Sequence, residues 1–91
     1  MNTEYCYFCQ YIYFKKIAEG SKTSIWECKN NKSSAVLGRV KWYGPWRQYC
    51  FFPEPFADLV FNKGCLEDIC RFIKEMTDLK NDKDKANKKF V

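Results

Sequence analysis

The chain has 91 residues, 46% of them apolar and 19% aromatic, which is enough for one packed domain and too apolar for a disordered chain. Sixteen Lys and Arg against eleven Asp and Glu leave a net charge of +5. That balance favours anionic partners but falls short of a dedicated DNA-coating protein.

No apolar run approaches the ~18 residues that a membrane-spanning helix needs, so no membrane partner is expected. Between Met1 and Gly20 the aromatic start is interrupted by Glu4, Gln10, Lys15 and Lys16, which does not read as a signal peptide. The expectation is a cytoplasmic protein whose six cysteines stay reduced.

In chain order, Glu4 to Ile17 is dense in aromatic and β-branched residues and predicts one or two strands. Cys6-x-x-Cys9 within it has the spacing of half a zinc site. The chain has no histidine to complete one, and Cys65 and Cys70, five apart on a helix, diverge by about 140°. No metal is expected, Cys6 and Cys9 being weak candidates, while Cys50, Cys65 and Cys70 read as small buried apolar residues.

Glu19 to Lys22 is a turn, Thr23 to Lys29 a strand, Asn30 to Ser34 a polar turn and Ala35 to Tyr43 a third strand. Trp46 to Phe52 follows as a fourth, ended by Pro53-Glu54-Pro55, and Leu59 to Phe61 suggests a short edge strand. The period then changes to that of a helix, with Leu66, Ile69, Cys70, Ile73 and Met76 on one face. Asn62 or Gly64 offers a cap, and Glu67 and Asp68 suit the first turn. From Thr77 the sequence is nearly all Lys, Asp and Asn. The sum is an α+β domain over residues 1–76, a curled antiparallel sheet of about four to five strands with one C-terminal helix on one face, followed by a charged, flexible tail over residues 77–91.

The most informative stretch is the hairpin from Leu37 to Phe52. With Gly44-Pro45 as a two-residue loop and Gly44 at positive φ, Tyr43 faces Trp46, Lys41 faces Gln48 and Arg39 faces Cys50 on one side. On the other side Trp42 faces Arg47, Val40 faces Tyr49 and Gly38 faces Phe51. Val40, Trp42, Tyr49 and Phe51 suit the helix-covered side, with Arg47 reaching over Trp42 at the rim. Tyr43, Trp46, Arg39, Lys41 and Gln48 would then face water. A three-residue loop would instead place Arg47 beside Arg39 and Lys41. Rings stack on a base and cations neutralise a phosphate, so Arg39, Lys41, Trp42, Tyr43, Trp46, Arg47 and Tyr49 are the candidate ligand-binding residues. The plainer reading is that Trp and Tyr pack well on pleats and that alternate Lys and Arg protect an exposed face from aggregation.

Without histidine, a convergent carboxylate pair or a phosphate-cradling glycine loop, no enzyme activity and no cofactor are expected. Trp26-Glu27, Leu37-Gly38, Val40-Lys41-Trp42, the run Pro45-Trp46-Arg47-Gln48-Tyr49-Cys50-Phe51-Phe52-Pro53, Phe61-Asn62 and Gly64-Cys65-Leu66-Glu67-Asp68-Ile69 carry a resemblance. Over Ile25 to about Met76 the chain resembles a family of small proteins encoded by bacteriophages and prophages, with a Trp-Tyr-x-Pro-Trp-Arg-x-Tyr-x-Phe-x-Pro core. The resemblance implies a phage-type accessory binding protein working in the host bacterial cytoplasm. By analogy it would sequester an anionic nucleotide or cyclic oligonucleotide signal to counter host defence, with a homo-oligomer building the pocket. The alternatives are an inhibitor that docks on a host defence protein, in the manner of an anti-CRISPR, and a weak single-stranded nucleic-acid-binding module.

Overall fold

Aromatic and β-branched runs separated by short polar turns let each strand pair with its neighbour in the chain. The computed structural model describes residues 6–55 and 58–88, with side chains as far as Asp82. Five strands, β1 (Cys6–Phe8), β2 (Ile12–Glu19), β3 (Ser24–Asn30), β4 (Val36–Tyr43) and β5 (Gln48–Pro53), form one antiparallel sheet in the order β1-β2-β3-β4-β5. One helix, α1 (Lys63–Lys88), packs against one face of it. This is the expected α+β architecture, and the sheet stays open at both edges. The expected strand start at Glu4 and Tyr5 lies outside the described residues.

Period-2 alternation sets the two faces. Ile12 and Phe14 of β2, Trp26 and Cys28 of β3, Val40 of β4 and Tyr49 of β5 are buried on one side. The stripe of α1 that covers them is Cys65, Ile69, Phe72 and Met76, with Ile69 and Phe72 buried. Phe72 is the centre of the contact. Its ring stacks on Phe14 with centroids 4.0 Å apart and planes 3° from parallel, and meets the edges of Trp26 at 5.0 Å and Tyr7 at 5.1 Å. Of the expected helix face, Ile69, Ile73 and Met76 do pack on the sheet, while Leu66 and Cys70 are exposed, because the large ring at Phe72 buries more apolar area than either.

The helix begins where Asn62 caps it. Its side-chain oxygen accepts the Cys65 N–H at 2.8 Å and its carbonyl accepts the Leu66 N–H at 3.1 Å. Glu67 and Asp68 consequently fall one turn further in than expected. Asp68 is buried and its carboxylate lies 3.2 Å from the Arg71 guanidinium. Leu59 to Phe61 forms no strand; Phe61 instead sets its ring perpendicular to Phe51 at 5.7 Å.

Past Met76 the helix continues to Lys88, where a flexible tail was expected. Two features extend it. The Tyr49 backbone N–H donates to Thr77 Oγ1 at 3.0 Å, and Lys74 donates to the Asp78 carboxylate one turn on at 2.8 Å. Lys80 then lies over the Trp42 ring at 4.9 Å. The tail's last residues, 89–91, lie outside the described residues.

The β4–β5 hairpin closes differently from either expected loop. Tyr43 pairs with Gln48, Trp42 with Tyr49, Lys41 with Cys50, Val40 with Phe51, Arg39 with Phe52 and Gly38 with Pro53. The connection is four residues, Gly44 to Arg47, with one turn of 3-10 helix started by Pro45. The left-handed conformation falls on Arg47, at φ 54°, and not on Gly44. Relative to a two-residue loop the strands slide by two residues, which keeps every residue that is still paired on its expected face, because the side-chain period is two, while Trp46 and Arg47 move into the turn.

Gly38 is required by close approach. A Cβ there would come within 2.5 Å of the Phe52 carbonyl oxygen and 2.7 Å of the Phe51 ring, whereas a Cβ at Gly44 would meet nothing within 4 Å. Gly38→Ala should therefore cost about 1–3 kcal/mol in urea unfolding and Gly44→Ala about 0.5 kcal/mol or less. Equal costs for the two would contradict this pairing of β4 and β5.

Candidate functional site

The face of the sheet away from α1 carries the expected strip. Alternation places Arg39, Lys41 and Tyr43 of β4 there, with Cys50 and Phe52 of β5 beside them. Trp46, in the 3-10 turn, is 67% exposed and sets its ring edge-on to Tyr43 at 5.1 Å. Tyr43 in turn meets Phe52 at 6.1 Å, and the Lys41 ammonium lies 4.6 Å from the Phe52 centroid. The result is a run of linked rings with a cation on its flank. At the opposite edge Phe8 stacks on Tyr13 at 5.2 Å and is 70% exposed.

Between these ring clusters the charges are partly internal. Glu27 of β3 lies 3.6 Å from the Arg39 guanidinium and 3.8 Å from the Lys29 ammonium, and it stands opposite Lys15 in the register. One carboxylate among several cations leaves the face net positive while holding Arg39 and Lys29 across the sheet. Such half-buried pairs still reach water and gain little net energy from it, so they orient side chains more than they stabilise the fold.

The structure divides the seven candidate residues. Arg39, Lys41, Tyr43 and Trp46 share the open face. Trp42 and Tyr49 lie on the covered face, ring edge to ring face at 5.5 Å, and Tyr49 is buried. The cation over Trp42 is Lys80 and not Arg47. Arg47 is exposed in the hairpin turn, its N–H donating to the Tyr43 and Gly44 carbonyls at 3.0 Å, so neither expected register describes it. Phe52 joins the strip although it was not among the candidates; its two-residue spacing from Cys50 was the available signal.

Among the described residues, clefts whose linings do not include the strip lie on either side of the helix. One of about 350 Å³ lies beside the start of α1 between Tyr11, Asn31, Val60 and Cys65. The other, about 270 Å³, lies between the β2–β3 turn and the Met76–Lys80 segment of α1.

Cys6 and Cys9 do not converge. Cys6 pairs with Lys15 on the open face, while Cys9 packs against the core under α1. Among the described residues no three Cys, Asp or Glu gather as metal ligands. Burial, then the nearby Asp68 charge, pushes the Cys9 thiol up, and burial pushes Cys28 up to about 12. Cys70, read as buried from the sequence, is exposed, and Cys50 and Cys65 are half-buried. With a thiol-exchange reagent at neutral pH, Cys70 should react in the folded protein and Cys28 only on unfolding, because the thiolate is the reactive form. Rapid modification of Cys28 under native conditions would contradict the assigned burial.

Among the described residues no helix is long and apolar enough to cross a membrane. No family model matches the chain, and no solved structure matches it. A protein of Acholeplasma phage L2, described as an uncharacterized 9.3 kDa protein, is 34% identical over 68 residues, a span covering 74% of this chain and 85% of that protein. An open five-stranded sheet under one helix, in a chain of this size and with this likeness, belongs to the family of small phage proteins that includes the 9.3 kDa protein of Acholeplasma phage L2.

Proposed function

We propose that this chain is a phage accessory protein that acts by binding, and that its open sheet face docks on a partner protein of acidic surface in the host cell. The observation that supports this most is the exposure of Trp46 at the end of the Tyr43–Phe52–Lys41 cluster, on a face that α1 does not cover. Large rings and Arg are the usual anchors of protein interfaces. Here Arg39, Tyr43 and Phe52 stand on paired strands, with Trp46 in the short turn against Tyr43, so little order has to be created on binding.

The shape favours a protein over the small nucleotide expected from the same residues. Capture of a free nucleotide calls for concave walls that bury most of the ligand, and a sheet face supplies a floor only. Sequestering a nucleotide signal through this strip would need a second copy to close over it. Glu27, held among Lys15, Lys29 and Arg39, also lowers the positive potential that a single-stranded nucleic acid would need.

The test is capture from lysate of the bacterial host, followed by affinity measurement with the retained protein. Trp46→Ala and Lys41→Glu should each weaken binding by about tenfold or more without changing the fold, as expected for an interface anchor and its flanking charge. Absence of a stoichiometric partner, or binding indifferent to both substitutions, would rule the reading out. Native mass spectrometry separates the remaining outcome, in which the face is covered by a second copy of this chain.

A further inference from the structure

At the end of the sheet away from the β4–β5 hairpin, three segments of the chain meet around the cleft of about 350 Å³. The β1–β2 turn supplies Tyr11, the end of β3 and its turn supply Asn30 and Asn31, and the start of α1 supplies Asn62 and Cys65. The two turns are tied to each other. The Asn31 N–H donates to the Tyr11 carbonyl at 3.0 Å, and Asn31 Nδ2 donates to the Cys9 and Gln10 carbonyls at 3.0 and 2.9 Å. The third wall is fixed by the Asn62 cap and by Cys65, which packs against the core. The cleft is therefore built before anything enters it. Among the described residues its lining holds no carboxylate and one cation, Lys32, so charge does little to choose an occupant.

Three carboxamides in this lining are each held at one end by backbone and open at the other. Asn30 Oδ1 accepts the Lys32 and Ser33 N–H groups at 2.8 and 3.1 Å, which leaves its NH₂ to donate. Asn62 Oδ1 accepts the Cys65 N–H at 2.8 Å, which leaves its NH₂ likewise. Asn31 is held in the reverse sense, through its NH₂, and keeps Oδ1 to accept. Among the described residues none of these three open ends has a protein partner. Tyr11 adds an aromatic wall. Its ring lies against Gly64, where a Cβ would come within 3.0 Å of it, and it stays 43% exposed, which leaves ring surface for stacking.

We propose that this cleft binds a pyrimidine nucleoside or its monophosphate, with the base stacked on Tyr11 and its polar edge met by Asn30, Asn31 and Asn62. A pyrimidine base presents two acceptors and one donor on that edge, and the open amide ends are two donors and one acceptor. The two sets are complementary. Guanine presents the opposite balance and would leave donors facing donors. The volume equals roughly twelve waters at ~30 Å³ each, room for a one-ring base and its pentose. The cleft lies at the far end of the sheet from Trp46, so it is independent of the protein-docking face.

The experiment is an amide chemical-shift titration of the whole chain with uridine monophosphate, with guanosine monophosphate and ribose 5-phosphate as parallel titrants. Uridine monophosphate should give saturable shifts at Tyr11, Asn31 and Cys65 and in the side-chain amides of Asn30 and Asn62. Half-saturation should fall below about 10 mM and at least about fivefold below that of either control. Asn62→Ser keeps a capping oxygen for the helix and removes the open donor without adding charge, so it should weaken binding about fivefold. Tyr11→Leu removes the stacking ring and should weaken it about tenfold. An absence of saturation, a control ligand bound as tightly, or unchanged affinity in both variants would overturn the proposal. A variant spectrum that retains the dispersed native pattern shows that lost binding is not lost folding.

Discussion

The structure depends on one contact, the seating of Phe72 against Phe14, Trp26 and Tyr7. These four rings come from α1, β2, β3 and β1, so a single side chain ties the helix to three strands. Burying an aromatic ring of this kind is worth on the order of 3–5 kcal/mol by truncation, a large share of the stability available to so short a chain. The Tyr7 hydroxyl adds a bond to the Glu75 carboxylate at 3.0 Å, which holds the three-residue β1 at the sheet edge. Burial, followed by that bond, keeps the Tyr7 phenol above its ordinary pKa and therefore protonated.

The open sheet face and the cleft beside the β2–β3 turn both follow from this seating. One helix can cover one face of a sheet, and the other face must meet water or a partner. The side chains of that face are therefore available, and their rings make contact with one another across β4 and β5 in place of a core. The helix also continues past the point where Tyr49 bonds to Thr77, and its next turn carries Leu79 and Lys80 out along the β2–β3 turn. A cleft forms there because the sheet end and the helix are held together without filling the space between them.

Much of this was legible in the sequence because parity in a strand is robust. The division of β4 into Val40 and Trp42 on one side and Arg39, Lys41 and Tyr43 on the other held even though the hairpin loop has four residues, since a slide of two leaves every side chain on its face. Arg47 was misplaced for the same reason in reverse: the added loop residues took it out of the strand into a left-handed turn. The helix face was harder to read. Leu66 and Cys70 lie at helical spacing with Ile69, Ile73 and Met76 as Cys65 and Phe72 do, and only the fit of one large ring into the sheet decides which of them turn inward. The cleft beside the β2–β3 turn had no local signal. Its cations lie in a strand, a turn and a stretch that composition alone marks as solvated tail, and only the continuation of α1 brings them together.

Distance-restrained nuclear magnetic resonance of the aromatic rings tests the seating of Phe72 most directly. Strong cross-relaxation from Phe72 to Phe14, Tyr7 and Trp26, with none to Tyr43, Trp46 or Phe52, is the result expected from centroid separations of 4.0–5.1 Å on the covered face. Contacts from Phe72 to Tyr43 or Phe52 would mean that the helix lies on the other side of the sheet, and the account of both surfaces would fail with it.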